Sequence, residues 1–263
     1  MRHLESTKND LIKSLIQLEK ARERKKNGLF LIEGIRELNL ALTNGYIVEK
    51  ILFCPDYLSF DDAQSLIEQN NSEWISLSSE VADKLFYRKG IANVLGVAKS
   101  QPKQLENLKL PKNPLILIIE EVEKPGNLGA MLRTADASGT DAVIICDPAT
   151  DLFNPNVVRS SLGCVFSVPI AIASAKETID FLKTNQINSF AAHLMATKSH
   201  YQADYSQGSA IVVGAEDNGL TDIWKESATE MVIIPMLGQH DSMNVSNAAA
   251  VLLYEAVRQR NYK

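Results

Sequence analysis

The polar residues best placed to do chemistry follow short apolar runs. Ile233-Ile234 stops at Pro235 and opens a loop, Met236-Leu237-Gly238-Gln239-His240-Asp241-Ser242-Met243-Asn244. An alanine-rich helical pattern then runs to about Arg258. Ser242, Asn244 and Ser246 carry side-chain oxygens at or just before that helix start, where Ser and Asn are favoured caps. The unpaired amides of a first helical turn face the same way. Strand end, polar loop and helix start together make a place to hold a small polar ligand. An ordinary, well-capped strand-to-helix connection has the same features.

Two further strand ends carry comparable groups. Leu115 to Ile119 is wholly apolar, as in a parallel strand covered on both faces, and leads through Glu120-Glu121-Val122-Glu123-Lys124-Pro125-Gly126 to Asn127-Leu128-Gly129. A helix is expected from about Ala130, then the strand Ala142 to Cys146, which makes a βαβ unit. Arg133 stands six residues after Asn127, on the helix, within reach of the loop or simply at the surface. Ala210 to Gly214 is another apolar strand and ends in Ala215-Glu216-Asp217-Asn218-Gly219-Leu220. In an open parallel sheet ligands bind beyond the carboxyl ends of the strands, so Asn127, Gly214, Glu216 and Ser242 could share one crevice. A dinucleotide fold begins similarly, but Gly-Asn-Leu-Gly lacks the third glycine of that fingerprint, and no acidic residue closes the second strand. A nucleotide-dependent oxidoreductase is therefore disfavoured.

The elements that must position these groups divide the chain. At 263 residues it exceeds one typical domain. Strands at Leu29–Glu33, Val48–Cys54, Trp74–Leu77 and Val94–Ala98 alternate with helices, so residues 1–99 read as a small α/β domain. Ser100 to Pro114 holds three prolines and little periodicity and reads as a linker, 100–114; the second domain is 115–263. Leu11, Ile12, Leu15, Ile16 and Leu18 give an amphipathic helix running into Arg22, Arg24, Lys25 and Lys26, with Gly28 beyond. Those cations either complement the helix dipole or contact phosphate. Tyr87-Arg88-Lys89-Gly90 offers a ring and charge in a loop, a nucleotide clamp or a solvated turn.

Composition narrows the classes. The net charge of −5 argues against coating nucleic acid along the whole length, though not against a local basic patch. Cys54, Cys146 and Cys164 are scattered, and the four histidines show no ligand spacing, so neither a disulfide framework nor a metal site is expected. No apolar stretch approaches a membrane span, and the amino terminus lacks a signal-peptide apolar region; cytoplasmic residence is expected.

The three strand ends together resemble a known family. Asn127 to Ala135, Val213 to Leu220, and Ile234-Pro235-Met236 with Ser242 to Ser246 are similar, in order and separation, to the three motifs of the SpoU (TrmH-like) RNA 2′-O-ribose methyltransferases of the SPOUT superfamily. The likeness spans roughly Leu115 to Arg258, and Phe30 to Gly34 resembles that family's amino-terminal substrate-binding domain. Met243 stands where leucine is common, and Asp217-Asn218 replaces a more usual Gly-Lys-like pair. The resemblance implies a parallel-sheet domain tied in a trefoil knot and S-adenosylmethionine held by backbone groups of the knotted loops. It also implies a homodimer whose active sites draw on both subunits. By position, Gly214, Ile234 and Met243, with Leu194 and Met236 nearby, would hold the cofactor. Arg133 would be the central catalytic residue, Asn127 would orient it or the ribose, and Glu216, Ser242 and Asn244 would complete the site. Arg22, Arg24, Lys25, Lys26, Arg88 and Arg159 would contact RNA. Ribosomal RNA is the expected substrate; transfer RNA, or a catalytically silent RNA-binding or ribosome-assembly role, are the alternatives.

Overall fold

Two sheets organise the chain, one in each of two units, in a computed structural model that describes residues 1–87 and 94–261. In chain order the first elements are β1 (Arg2–Leu4), α1 (Asp10–Gln17), α2 (Ala21–Asn27), β2 (Leu29–Glu33), α3 (Ile35–Thr43), β3 (Val48–Phe53), α4 (Phe60–Leu66), β4 (Glu73–Leu77), α5 (Ser79–Leu85) and β5 (Val94–Lys99). Then come β6 (Leu115–Glu120), α6 (Pro125–Ala137), β7 (Ala142–Cys146), α7 (Pro155–Ser160), α8 (Cys164–Ser167), β8 (Ile170–Ala173) and α9 (Ala175–Thr184). The last are β9 (Asn188–Ala192), β10 (Ser209–Val213), α10 (Asp222–Ser227), β11 (Glu230–Val232) and α11 (Val245–Asn261).

The first unit comprises Met1–Pro102 and Asp151–Ser167. Its sheet runs β1-β4-β3-β5-β2, with β1, β4 and β3 parallel and β5 antiparallel to both β3 and β2. Strand β1 was not foreseen. Three residues are too short to show alternation, and β1 exists because Arg2 and Leu4 align with Ile75 and Leu77 of β4. One face buries Ile12, Leu15 and Leu18 against Leu52, Ile75, Leu77, Val81 and Leu85. Elsewhere in the unit Phe30 stacks on Phe153, ring centroids 4.2 Å apart, and Tyr46 meets Phe166 edge-on at 5.0 Å. These contacts tie Asp151–Ser167 to the strands of this unit.

The basic helix is broken in two. After Gln17 the chain turns, and α2 begins at Ala21. Arg24 explains the break. Its Nη1 donates to the carbonyls of Leu18 at 2.7 Å and Glu19 at 2.8 Å, satisfying oxygens that a helix end leaves unpaired. Its Nε donates to Asp151 at 2.6 Å, and the residue is 4% exposed. Arg22, Lys25 and Lys26 remain exposed on the rest of α2.

The second unit comprises Lys103–Thr150 and Val168–Lys263. Its sheet is parallel throughout, in the order β11-β9-β10-β6-β7-β8, and β6, β7 and β10 are buried along their whole length. Residues 103–114 do not hang free. Leu105, Leu108 and Leu110 pack on the core, and the carbonyl of Lys103 accepts from the Ile172 amide at 2.7 Å, covering edge strand β8. Helix α6 starts at Pro125, earlier than expected, because proline suits the first helical position, where its missing N–H costs nothing. Asn127 therefore lies in the first turn and Arg133 in the third. Helix α11 buries Ala249, Leu252, Leu253 and Ala256 and packs against α6. Its last turn is anchored by Arg260, which donates to the carbonyls of Tyr205, Asn113, Pro114 and Gln207.

Candidate functional site

Three segments meet at the carboxyl ends of the central strands. Asn127 in α6 donates its side-chain amide to Glu216, in the loop after β10, at 2.5 Å, and accepts from the amide of Asn244 at 3.2 Å. Asn127 thus links two loops with one side chain, which a group carrying both donor and acceptor can do. Asn244 is the cap of α11. Its Oδ1 accepts from Ser246 N at 3.0 Å and Ser246 Oγ at 2.6 Å, and its carbonyl accepts from the Asn247 and Ala248 amides. Of the three side chains foreseen as caps, this is the one that serves. Burial pushes the Glu216 carboxyl up, but hydrogen bonds from Asn127 and from backbone amides, with Lys124 nearby, outweigh it and hold the group below the usual carboxylate range. Glu216 is ionised at neutral pH.

The loop bearing Glu216 is held from below. Glu120, at the end of β6 and 1% exposed, accepts from Thr221 N at 2.8 Å, Thr221 Oγ1 at 2.7 Å and Trp224 Nε1 at 2.8 Å. Between them the chain closes a tight turn in which Ala215 and Gly219 exchange backbone hydrogen bonds. A Cβ built on Gly214 would lie 2.3 Å from the Gly219 carbonyl, so only glycine fits this turn. The sequence drew no attention to Glu120. Its signal is a lone carboxylate closing an otherwise apolar strand.

The residues expected to hold the cofactor lie on the loops after β9, β10 and β11, which are neighbours in the sheet. Ile233 is locked between Lys198 and His200, donating to the former's carbonyl at 2.9 Å and accepting from the latter's amide at 2.9 Å. The His193 amide donates to the Val232 carbonyl at 3.0 Å, and His193 Nδ1 accepts from Met195 N at 3.0 Å. Burial, then the charge of Lys225, holds the His193 imidazole below its ordinary value. Leu194 is exposed, Ile234, Met236 and Met243 are half-buried, and Leu237 is 97% exposed. Among the described residues none accepts from the backbone amides of Met236 to Met243. Apolar side chains beside unspent amide donors suit a flat base and a charged amino-acid tail.

Not every expected residue joins this cluster. Arg133 is exposed on α6, and among the described residues nothing pairs with its guanidinium. Six residues turn a helix by about 240°, so Arg133 and Asn127 do not share a face. Ser242 is exposed and, among the described residues, donates only to Asp241, at 3.3 Å. Arg24 is corrected: it is a buried helix cap and ion-pair partner, withdrawn from any RNA-facing set. Arg88 lies outside the described residues. Arg159 was expected to reach phosphate, but its guanidinium is engaged. It donates to Glu33 at 3.4 Å and Asn156 at 2.5 Å and lies over the Tyr87 ring, 3.9 Å from the centroid.

A parallel α/β sheet with strand-end loops joined by Asn127, Glu216 and Asn244 defines a class that comparison with known proteins names. Residues 114–254 match the SpoU rRNA Methylase family, and residues 9–96 match the MRM3-like substrate binding domain. The chain belongs to the SpoU rRNA methylase family, with the α/β architecture and the small amino-terminal α/β domain expected of it. The 23S rRNA (guanosine(2553)-2′-O)-methyltransferase RlmP of Bacillus subtilis is 31% identical over 254 residues, 97% of this chain and 98% of the relative. A crystal structure of an RNA 2′-O ribose methyltransferase is 38% identical, covers 98% of both chains and has a TM-score of 0.84. The SpoU methyltransferase AviRb from Streptomyces viridochromogenes, solved in complex with AdoMet, is 27% identical, with a TM-score of 0.89 over 96% of this chain and 98% of that one.

Proposed function

We propose that this protein transfers a methyl group from S-adenosylmethionine to the 2′-hydroxyl of a ribose in RNA, with ribosomal RNA as the substrate. The observation that carries the reading is the Glu216–Asn127–Asn244 chain, which joins all three motif segments in one hydrogen-bonded unit. Relatives named for 23S rRNA, one of them 31% identical over nearly the whole chain, support the substrate class.

When bound, S-adenosylmethionine supplies an electrophilic methyl on a sulfonium centre. Gly214, Ile234 and Met243, with Leu194 and Met236, would hold it through backbone groups and apolar contact. Arg133 carries the chemistry on the RNA side. A guanidinium stays protonated, so it does not serve as the base. It binds the phosphate of the target nucleotide and stabilises charge developing on the ribose oxygen. Water or a neighbouring group takes the proton. Asn127, fixed to ionised Glu216 and accepting in turn from Asn244, holds the loops rigid around the ribose, and Ser242 donates from the loop rim. Much of the rate comes from holding hydroxyl and methyl in line.

A homodimer accounts for Arg133 standing clear of its own chain's cluster, since a second subunit would complete the site. Val251 and Tyr254, apolar and partly exposed on α11, offer contact surface for it. The same reading includes a trefoil knot through the loops after β9, β10 and β11. The first unit holds RNA through Arg22, Lys25 and Lys26, with Arg88 added from the sequence. No helix among the described residues is long and apolar enough to cross a membrane, and the reading places the protein's action in the cytoplasm.

Transfer of labelled methyl from S-adenosylmethionine to unmodified ribosomal and transfer RNA, with nuclease mapping, tests the reading. Label in a ribose of ribosomal RNA is the expected result. Label in transfer RNA alone would overturn the substrate. Cofactor binding without transfer to RNA or to ribosomal particles would favour a silent binding factor.

A further inference from the structure

A cavity of about 290 Å³ lies within the first unit, against β2, β5 and α7. At that size it sits at the small end of ligand sites, about 300–1,000 Å³, and takes one planar ring system rather than a run of nucleotides. Leu31, Leu95 and Val158 line it with apolar surface. Tyr87, 72% exposed, brings a ring to the cavity, and the Arg159 guanidinium lies over that ring at 3.9 Å.

The stack is assembled in advance. One oxygen of Glu33 accepts both from the Tyr87 amide, at 3.1 Å, and from Arg159 Nη1, at 3.4 Å. Asn156 accepts from Arg159 Nη2 at 2.5 Å. Glu33 is 8% exposed, so its charge faces the guanidinium rather than solvent. A second carboxylate, Glu19, also lines the cavity. This charge pattern does not suit a phosphate: among the described residues that line the cavity Arg159 is the one cation, it is paired with Glu33, and a second carboxylate stands beside it. It suits a neutral, flat group that stacks on an aromatic or guanidinium plane and presents N–H donors at its edge, as an unstacked nucleobase does.

We propose that the Tyr87–Arg159 cavity binds a single splayed-out base of the RNA, with Arg159 acting as a stacking plane and not as a phosphate clamp. The proposal rests on the RNA reading above and deepens it. The site selects RNA whose loop offers an unpaired base.

The test is the affinity of the full chain for a fluorescently labelled RNA hairpin with an unpaired loop, measured over a series of salt concentrations. Tyr87→Phe is expected to bind within twofold of the parent. Tyr87→Leu is expected to bind about tenfold more weakly, within the range base–aromatic stacking supplies, and with an unchanged salt slope. Arg159→Lys keeps the charge but loses the plane, so it should weaken binding equally, again without a slope change. Should Arg159→Lys fail to fold, Tyr87→Leu removes a ring that is 72% exposed, keeps the backbone amide's bond to Glu33, and decides the matter. Parental affinity in Tyr87→Leu overturns the proposal. So does a salt slope shallower by about 0.7 in Arg159→Ala, the mark of one lost phosphate contact on a single strand. If the parent binds and methylates RNA while Tyr87→Leu is unaffected, only the base site falls. If the parent neither binds nor methylates RNA, the functional reading falls with it.

Discussion

Glu120→Gln is the most informative single change in the second unit. The carboxylate is 1% exposed and accepts three hydrogen bonds, two at Oε1 from Thr221 Oγ1 and Trp224 Nε1, and one at Oε2 from Thr221 N. Glutamine keeps the shape but turns one oxygen into an N–H donor. If its oxygen takes the Oε1 position, the new N–H₂ faces the Thr221 amide, donor against donor. If it flips, Trp224 Nε1 loses its acceptor instead. Either way one buried donor is orphaned, at about 1–3 kcal/mol, and the surviving bonds lose their charge assistance. The expected destabilisation is about 3 kcal/mol, roughly 150-fold in the folded-to-unfolded ratio. The chain has two tryptophans, Trp74 in the first unit and Trp224 in the second, so urea unfolding of a Trp74→Phe background reports on the second unit through Trp224. Thr221→Val removes one donor beforehand, so Glu120→Gln should cost less in that background. The same loop carries Gly214 and Glu216, so S-adenosylmethionine affinity should fall with it. A shift under about 0.5 kcal/mol with unchanged cofactor affinity would mean that Glu120 is not the staple.

Other consequences can be checked directly. Arg133→Ala should abolish methyl transfer while leaving S-adenosylmethionine binding within a few fold by calorimetry; loss of both would remove it from the RNA side of the site. Changing Arg22, Lys25 and Lys26 together to Ala should weaken RNA binding and lower the salt slope by about 2 to 3, near 0.7–0.9 per lost contact. Arg24→Ala should instead destabilise the first unit by about 3 kcal/mol, because it strands the buried partners of a helix cap and ion pair. Any change in its salt slope under native conditions would restore it to the RNA-facing set. Glu216 has a lowered folded pKa, so the stability it contributes is complete above the ordinary glutamate value of about 4.3 and drains as pH falls through the folded value. Glu216→Gln should flatten that acid-side loss in a pH series of unfolding curves.

What could be read from the chain depended on whether the cause was local. The buried strands of the second sheet declare themselves because Leu115 to Ile119 and Ala210 to Val213 are apolar without interruption. The cap at Asn244 and the glycine at 214 follow from rules that act within a few residues. Arg24 shows where such rules end. It lies among four cations in five residues, and nothing in that run tells which one turns inward. Its burial is decided by Asp151, more than a hundred positions away, and by carbonyls freed when the helix breaks at Leu18. Residues 100–114 read as a linker for the same reason: Leu105, Leu108 and Leu110 lack a helical period, and their packing has meaning only against a core built from other segments. Arg159 is the sharpest case. The family resemblance puts Arg159 on RNA, yet Glu33, 126 positions earlier, pairs with its guanidinium, which lies over the Tyr87 ring. Charge in the sequence is therefore a poor guide to which cations meet RNA. The cations free to contact phosphate are those that no distant carboxylate has claimed, and among the described residues Arg22, Lys25, Lys26 and Arg133 meet that condition while Arg24 and Arg159 do not.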